Sequence, residues 1–476
     1  MSKFLKISVV LSIFLISFDF NGEAHPELPN ACELLLSIKN PVKKAIYFSE
    51  INSVSDDEIP IMSVTLDKPI ALVKIPCRVA HLIKALWDDK TFEIYIKPGE
   101  NVSFSFDTND LLKSILFIGA NSIENNYLVL KDSYQRSNLP EFDKFYALDS
   151  LKFDSINDHA LRYCHQLANE KLRNIPVFNT QMHLDLLSAW LINKLQYPGY
   201  HNYFSSRKVD TRPDFSLFDK LISTHSDLGM LSNNYIVLIT MYLDYSVRSN
   251  PSPSPPKSIK AQQKSDLITE QKMINEKIKN QRLKSLFIGR LMWKYIDLGF
   301  KDEYLQHFKK EIASTTNRFF KPSKIRYNAL KTIDSGKVAP NFTYQDTSGV
   351  THKLSELKGK YIYINVWSLG CHASLEENEK LIDLQGQFKN KTDLIFLNLN
   401  LDNTKKNIVE YLQTRGLSGI NASCKSDHSK FPDEYFISYT PRFILIDSLG
   451  RIIQPFAARP SSPEFTNQLN ALFDKN

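Results

Sequence analysis

The stretch "INVWSLGCHASLEENEKL", residues 364–381, decides the fold predicted for the C-terminal part of this chain. An apolar run ends at Trp367, a turn carries Cys371, and a polar segment with helical character begins at His372. This order predicts a thiol at the first turn of a helix, where unpaired backbone N–H groups and the helix dipole favour the thiolate. Three residues after the cysteine the chain has Ser374, so the motif holds one cysteine rather than two.

Strand-like and helix-like segments alternate on both sides of this stretch, from Asn341 to the end of the chain. The apolar runs "YIYINVWS" and "DLIFLNLNL" are separated by the helix that begins at His372, and the hairpin "RFILIDSLGRIIQPF" precedes a closing helix. Strands that alternate with helices predict an α/β sheet whose faces are covered by helices.

Two segments resemble the TlpA-like branch of the thioredoxin family. They are "APNFTYQDTSGVTHKLSELKGKYIYINVWSLGC", residues 339–371, and "YTPRFILIDSLGRI", residues 439–452. The positions that match the family pattern are Leu354, Leu357, Gly359, Lys360, Asn365, Trp367, Cys371, Thr440, Pro441, Asp447 and Gly450. The resemblance covers residues 338–473 and implies a C-terminal α/β thioredoxin-like domain that acts in thiol–disulfide exchange.

The resemblance also implies roles for particular residues. Cys371 would be the nucleophile, with Ser374 and Glu377 beside it as catalytic residues. The substrate-binding residues would be Trp367, His372, Thr440 and Pro441, with Pro441 in the cis form next to the sulfur. Cys424 is a candidate resolving residue if the fold brings it close.

The chain departs from the family pattern at several of these positions. Ser374 replaces the resolving cysteine, so Cys371 could attack a disulfide but could not release the product by the usual internal route. Gly370 stands where the family has an aromatic residue and Glu379 where it has proline. Asn365 occupies the place of the buried aspartate of classical thioredoxins.

Three functions therefore stay open. The first is a monothiol thiol–disulfide oxidoreductase that exchanges with protein or low-molecular-weight thiols and disulfides. The second is a redox-inactive binding protein on the same scaffold. The third is a thiol peroxidase, for which Ser368 precedes Cys371 by three residues and Arg442 lies downstream.

The chain between the N-terminus and the α/β domain predicts two further parts. Residues 25–118 are rich in β-branched and aromatic runs broken by turns, which predicts an antiparallel β-sandwich. Residues 119–335 repeat apolar residues at three- and four-residue intervals, which predicts an all-α domain, with a Pro/Ser-rich loop at residues 249–258. The α/β domain would then occupy residues 336–476.

The N-terminus predicts export. Lys3 and Lys6 precede an apolar run from Ile7 to Phe18, and small residues follow up to Ala24, which is the order of a secretory signal peptide spanning residues 1–24. We therefore expect a periplasmic or otherwise exported cell-envelope protein, soluble or peripheral to the membrane. Cys32 and Cys77 could form a structural bridge in such an oxidising compartment.

Composition argues against other classes of function. The net charge of +7 comes from 59 basic and 52 acidic residues mixed along the chain, so we predict no nucleic-acid partner. With 15 glycines and no Gly-rich phosphate motif, no nucleotide cofactor is predicted. His165, His183 and His201 are too far apart to share one helical face, so no metal site is predicted.

Overall fold

The computed structural model describes residues 31–51, 53–54, 58–88, 90–205, 209, 221, 232–249, 258–369, 371–402, 405–424 and 429–473. The predicted signal peptide and most of the predicted Pro/Ser-rich loop lie outside these residues. The chain forms two compact units. One takes residues 19–251 and 269–288, and the other takes residues 252–268 and 289–476.

The first unit begins with two four-stranded sheets. Their strands are β1 Ala31–Lys39, β2 Ala45–Ile51, β3 Glu58–Thr65, β4 Ile70–Pro76, β5 His81–Trp87, β6 Lys90–Ile96, β7 Val102–Asp107 and β8 Leu116–Ile118. The strand orders are β4-β1-β7-β8 and β3-β2-β5-β6. Neighbouring strands are antiparallel except β1 and β7, which are parallel. The predicted sandwich is thus confirmed, with one parallel pair that the sequence did not predict.

The core of the sandwich follows from the two-residue period of its strands. In β7 the side chains alternate between buried and half-buried positions, and the buried ones, such as Phe104, meet residues of the opposite sheet such as Phe92. Cys32 and Cys77 lie in this core as free, fully buried thiols. The structure therefore does not contain the bridge that was expected between them.

The helices of the first unit confirm the predicted all-α region. They are α1 Leu111–Ser114, α2 Ser122–Asn138, α3 Phe142–Ala147, α4 Ser150–Lys171, α5 Pro176–Ser205 and α6 Asn233–Ser249. In α4 the buried residues Phe153, Asn157, Cys164 and Ala168 recur at intervals of four and seven, so one stripe of the helix faces its neighbours. Among the described helices of the whole chain, none is both long and apolar enough to cross a membrane.

Two of the histidines form a pair, which the sequence analysis did not anticipate. His165 on α4 and His183 on α5 stack with ring centroids 4.4 Å apart and their Nδ1 atoms in contact. Spacing along one helix could not reveal this pair because the partners lie on two helices. Burial, with a contribution from His183, lowers the pKa of His165 to about 4. No cluster of three metal-ligating side chains occurs among the described residues.

Helices α7 Ile259–Lys277 and α8 Gln281–Asp297 contribute to both units. The second unit adds α9 Lys301–His307, α10 Lys309–Ala313 and α11 Lys321–Leu330. The predicted limit between the helical and α/β domains, at residues 335 and 336, therefore falls inside one compact unit. The predicted domain limits stay predictions.

A seven-stranded sheet forms the centre of the second unit. Its strands are β9 Thr343–Asp346, β10 Thr351–Lys353, β11 Tyr361–Trp367, β12 Leu394–Asn400, β13 Ile420–Ser423, β14 Arg442–Ile446 and β15 Ile452–Gln454. The order is β10-β9-β13-β12-β11-β14-β15, in which β11, β12 and β13 are parallel. The remaining helices are α12 His372–Gln387, α13 Lys405–Arg415, α14 Phe431–Glu434 and α15 Pro463–Phe473. This is the α/β arrangement that the alternating pattern predicted.

Strand β11 is the centre of this sheet. Almost all of its residues are buried, because a strand lies on each side of it and side chains pack on both of its faces. Tyr363 packs with Phe443 of β14 and Phe465 of α15, in a core cluster that also includes Leu381 of α12 and Leu469 of α15. These contacts fix the end of β11 and the start of α12, and Cys371 lies between them.

Two glycines before β13, Gly416 and Gly419, provide a matched test of how closely the chain packs against β12. Both have positive φ, +74° at Gly416 and +88° at Gly419, so alanine is strained at either position. A Cβ on Gly419 would lie 2.5 Å from the Phe396 carbonyl oxygen, whereas a Cβ on Gly416 would meet nothing within 4 Å. We expect Gly419→Ala to lower the free energy of unfolding by about 1–3 kcal/mol more than Gly416→Ala. Urea unfolding of the full chain checks this, and equal losses for both variants would contradict the packing described.

Candidate functional site

Cys371 lies at the start of α12, between the end of β11 and the first helical turn. Its carbonyl oxygen accepts hydrogen bonds from the backbone N–H groups of Ser374, at 3.0 Å, and Leu375, at 3.2 Å. It is therefore the N-cap residue of the helix, and its side chain is half-buried. A thiol at this place is close to the positive end of the helix dipole, as the sequence predicted.

The sheet brings the Thr440–Pro441 segment to the same place. Strand β14 pairs with β11 so that Arg442 lies opposite Val366, which puts the residues before β14 beside the end of β11. The Sγ of Cys371 donates to the Thr440 carbonyl oxygen at 3.1 Å, and the Thr440–Pro441 peptide bond is cis. Thiol and cis-proline segment are thus in direct contact although 69 residues separate Cys371 and Thr440.

Ser374 lies one helical turn into α12 and is completely buried. Its Oγ has no hydrogen-bond partner among the described residues, so it does not hold the Cys371 sulfur. Ser374 therefore occupies the position of the resolving cysteine as a small buried residue whose hydroxyl makes no hydrogen bond to the described residues.

Glu377 is also buried, but its carboxylate is engaged elsewhere. It accepts hydrogen bonds from the backbone N–H and the Oγ of Ser461, at 3.0 and 2.8 Å, and Arg459 lies 3.6 Å away. These partners belong to the segment before α15. The predicted catalytic role of Glu377 stays a prediction, and its contacts are those of an anchor for that segment.

Two of the predicted substrate-binding residues need comment. Trp367 is only 1% exposed and its ring packs against Tyr411 at 5.1 Å, so it belongs to the core below the turn rather than to a binding surface. The substrate-binding role predicted for Trp367 stays a prediction, and its burial argues against that role, because β11 is central in the sheet and buried to its last residue. The side chain of His372 lies outside the described part of the structure.

The other four cysteines are fully buried, and all five cysteines are free thiols within the described residues. Burial raises the pKa of Cys32 to about 12, of Cys77 to about 11 and of Cys424 to about 12, and it also raises the pKa of Cys164. Such thiols carry little thiolate and are inaccessible to a disulfide. Cys371 is thus the accessible thiol of this chain.

Cys424 follows β13, and strand β12 lies between β13 and β11. Its Sγ contacts the Ser429 hydroxyl at 3.0 Å and the Thr343 carbonyl oxygen at 3.4 Å. Its candidate role as resolving residue stays a prediction, and its burial and its own partners argue against that role.

A row of asparagines crosses the sheet below the thiol. Asn365, Asn398 and Asn421 lie opposite one another on β11, β12 and β13, and the Nδ2 of Asn365 donates to the Oδ1 atoms of Asn398 and of Asn378 on α12. Asn398 and Asn421 were not predicted as partners of Asn365, although polar residues inside the apolar runs of β11 and β12 are a visible signal in the sequence. Because amides do not titrate, these buried groups offer no acid or base beneath the site.

The segment before Pro441 is held by a buried ion pair that the sequence did not indicate. Asp297 at the end of α8 accepts two hydrogen bonds from Arg326 of α11, at 3.0 and 2.8 Å. Arg326 also donates to the Phe436 carbonyl oxygen. Ser438 Oγ donates to the Asp297 carboxylate and Tyr439 Oη to the Asp297 backbone carbonyl oxygen, each at 2.6 Å. Residues 436–439 are therefore tied to two helices of the same compact unit.

The residues that a peroxidase would need have other partners. Ser368 Oγ donates to Asp402 at 2.8 Å, and Arg442 Nε donates to the Pro455 carbonyl oxygen at 2.9 Å. Neither forms a hydrogen bond with the Cys371 sulfur in the structure.

Comparison with known proteins agrees with the resemblance seen in the sequence. Residues 335–454 match the model of the AhpC/TSA family. The thiol-disulfide oxidoreductase ResA of Bacillus subtilis is 26% identical over 132 residues, which are 27% of this chain and 72% of ResA. ResA of Bacillus anthracis is 26% identical over 137 residues, 29% of this chain and 78% of that protein. These matches confirm the predicted relation to thiol–disulfide oxidoreductases for the C-terminal region.

Among solved structures, the chain is similar to the thioredoxin domain of a thiol-disulfide oxidoreductase from Bacteroides vulgatus. The two are 23% identical, and the alignment covers 29% of this chain and 96% of that domain with a TM-score of 0.27.

The ion pair gives a direct test of how the site is held. Asp297→Asn leaves the Arg326 charge buried without its partner, so we expect the free energy of unfolding to fall by about 3 kcal/mol. Asp393→Asn is the matched control, because Asp393 pairs with Lys360 at an exposed position and its loss should cost less than about 1 kcal/mol. Urea unfolding compares the two variants. Equal losses would show that the buried pair does not hold this segment.

Proposed function

Since its C-terminal region is a thioredoxin-like domain of the AhpC/TSA family, we propose that this protein carries out thiol–disulfide exchange through the single nucleophile Cys371. The observation that supports this most strongly is the position of the sulfur. It lies at the N-terminus of α12, half-exposed, and contacts the carbonyl oxygen that precedes the cis-proline.

The exchange needs two steps. In the first, the Cys371 thiol loses its proton to solvent, and the thiolate attacks a substrate disulfide, which forms a mixed disulfide and releases the other half as a thiolate. In the second, an external thiolate attacks the mixed disulfide and regenerates the Cys371 thiolate. No electrons remain on the protein after the cycle, so a single cysteine is sufficient.

The burial pattern supports an external second step. Ser374 has no thiol to contribute, and the four other cysteines are fully buried. Proton transfer through a buried acid is also unsupported, because the buried side chains of Asn365 and Asn398 are amides and the buried carboxylate of Glu377 is bound to Ser461 and Arg459. The substrate of the first step and the thiol of the second step must therefore both reach Cys371 from solvent.

Export forms part of the proposal. The charged, apolar and small-residue order of residues 1–24 supports a signal peptide, although these residues lie outside the described part of the structure. In the periplasm or another exported compartment, disulfides would be available as substrates.

Reaction with a small chromogenic disulfide tests the nucleophile. We expect one thiol of the folded full-length protein to react, with the buried thiols at least about 100-fold slower because they must wait for local opening. Cys371→Ala should abolish the fast phase and Cys424→Ala should leave it unchanged. If Cys371 reacts no faster than free cysteine at neutral pH, or if Cys371→Ala keeps the fast phase, the exchange proposal fails and the binding-protein alternative gains.

Restoring the second cysteine tests the site around it. Ser374 is buried one turn into α12 and its hydroxyl has no described partner, so a cysteine should fit there. We expect Ser374→Cys to reduce the disulfides of insulin in the presence of a dithiol reductant, and the unmodified protein to do so poorly. Absence of any gain would show that the surrounding site no longer supports dithiol chemistry.

A further inference from the structure

A cavity of about 790 Å³ lies beside the cis-proline, within the second compact unit. Its walls come from the start of α7, from the α8–α9 connection, from Tyr439 and Pro441, and from the segment between β15 and α15. Sites for small molecules commonly have volumes of about 300–1,000 Å³. The cavity is thus large enough for a molecule the size of a short peptide.

Arg442 is a buried charge on the wall of this cavity. Its side chain is 2% exposed, its Nε donates to the Pro455 carbonyl oxygen, and its guanidinium covers the Phe456 ring at 3.3 Å. Its Nη1 and Nη2 are buried and form no hydrogen bond of normal geometry with a described residue, although the Tyr439 hydroxyl and the Asp297 carboxylate lie near enough to act on the guanidinium. Buried donors normally have hydrogen-bond partners, and burying a charged donor without one costs free energy. We therefore expect the Nη1 and Nη2 groups to bind an acceptor.

Lys260 is a second cation on the same wall. Its side chain is exposed, and its Nζ donates to the Leu298 carbonyl oxygen at 3.0 Å and lies 4.8 Å from the centre of the Phe300 ring. Desolvation of its ammonium and then the positive charge of Arg442 lower the pKa of Lys260. Glu303 and Glu464 act in the opposite direction.

The other charges that line the cavity are largely paired. Lys264 binds Glu303 at 2.8 Å, and Arg459 lies 3.6 Å from Glu377. Glu464 accepts a hydrogen bond from Ser462. Lys260 and Arg442 are left with no ion pair to a described carboxylate, so the cavity offers two cationic groups to an anion.

We propose that this cavity binds a carboxylate of a small thiol or disulfide whose sulfur reacts at Cys371, which makes acidic low-molecular-weight thiols the preferred substrates. A carboxylate fits the two unpartnered N–H groups of Arg442, because a guanidinium presents its donors as a planar fork. This inference rests on the proposed function, because it names the substrate class of the same thiol.

The residue that contacts the sulfur is adjacent in sequence to two residues that line the cavity. Cys371 Sγ contacts the Thr440 carbonyl oxygen, and the two neighbours of Thr440, which are Tyr439 and Pro441, line the cavity. A molecule that places one sulfur at Cys371 can therefore extend past the cis-proline to the cations. The helices before the sheet would then contribute to substrate choice, since Lys260 and Gly299 belong to them or to their connection.

The kinetic test compares two disulfides of the same skeleton with the full-length protein. Glutathione disulfide carries free carboxylates, and its fully esterified tetraethyl ester carries none. Because hydrogen bonds to charged groups contribute about 1.5–3 kcal/mol, we expect the acidic form to give the mixed disulfide at least about 10-fold faster than the ester. Lys260→Gln should lower this preference several-fold and Arg442→Gln should remove it. Lys272→Gln, a matched change at an exposed position of α7 outside the cavity, should leave it unchanged.

A binding test separates this inference from the proposed function. S-methylglutathione cannot exchange, so its binding to the Cys371→Ala variant by calorimetry depends on the cavity alone. Binding that weakens several-fold in Lys260→Gln and is kept in Lys272→Gln supports the inference even if no disulfide reacts at Cys371. Equal rates for the acid and the ester, or absence of S-methylglutathione binding, would overturn the inference while the exchange reaction itself stands.

Discussion

The contact between the Cys371 sulfur and the Thr440 carbonyl oxygen depends on a buried ion pair far from it in sequence. Asp297 and Arg326 belong to helices that precede the sheet, yet their hydrogen bonds hold Phe436, Ser438 and Tyr439, the residues that lead to the cis-proline. Breaking a buried pair of this kind lowers the free energy of unfolding, because the charge that remains is buried away from solvent. The helical part of the second unit is therefore part of the thiol site, and not merely an addition to it.

The described groups near Cys371 share one feature: none of them is placed to resolve a mixed disulfide or to exchange protons. The resolving position holds Ser374, and the row of buried polar groups below it consists of asparagines that cannot exchange protons at ordinary pH. Glu377, a buried acid three residues after Ser374, is bound to Ser461 and Arg459. In the proposed mechanism, the site attacks a disulfide through Cys371 and does not resolve the product internally. An exchange protein that relies on an external thiol must bind that thiol, and the cationic cavity beside Pro441 supplies a place for it.

Much of this architecture could be predicted from the sequence, because strand and helix periodicity are local signals. The strand that ends at Trp367, the helix that begins at His372 and the hairpin after Pro441 all occur as predicted. The parallel pairing of β1 with β7 and the stacking of His165 on His183 could not be predicted, because both join segments whose sequences say nothing about each other. Arg326 and Asp297 likewise look like surface charges on amphipathic helices until the fold shows them paired and buried.

The lifetime of the mixed disulfide at Cys371 tests the central claim most directly. The intact mass of the full-length protein would be followed after a short exposure to a small symmetrical disulfide and removal of the excess. We predict one adduct, on Cys371, that persists until an external thiol is added, because no second thiol reaches it. Spontaneous loss of the adduct with formation of an internal disulfide to Cys424 would contradict the single-cysteine mechanism, and absence of any adduct would contradict exchange at Cys371.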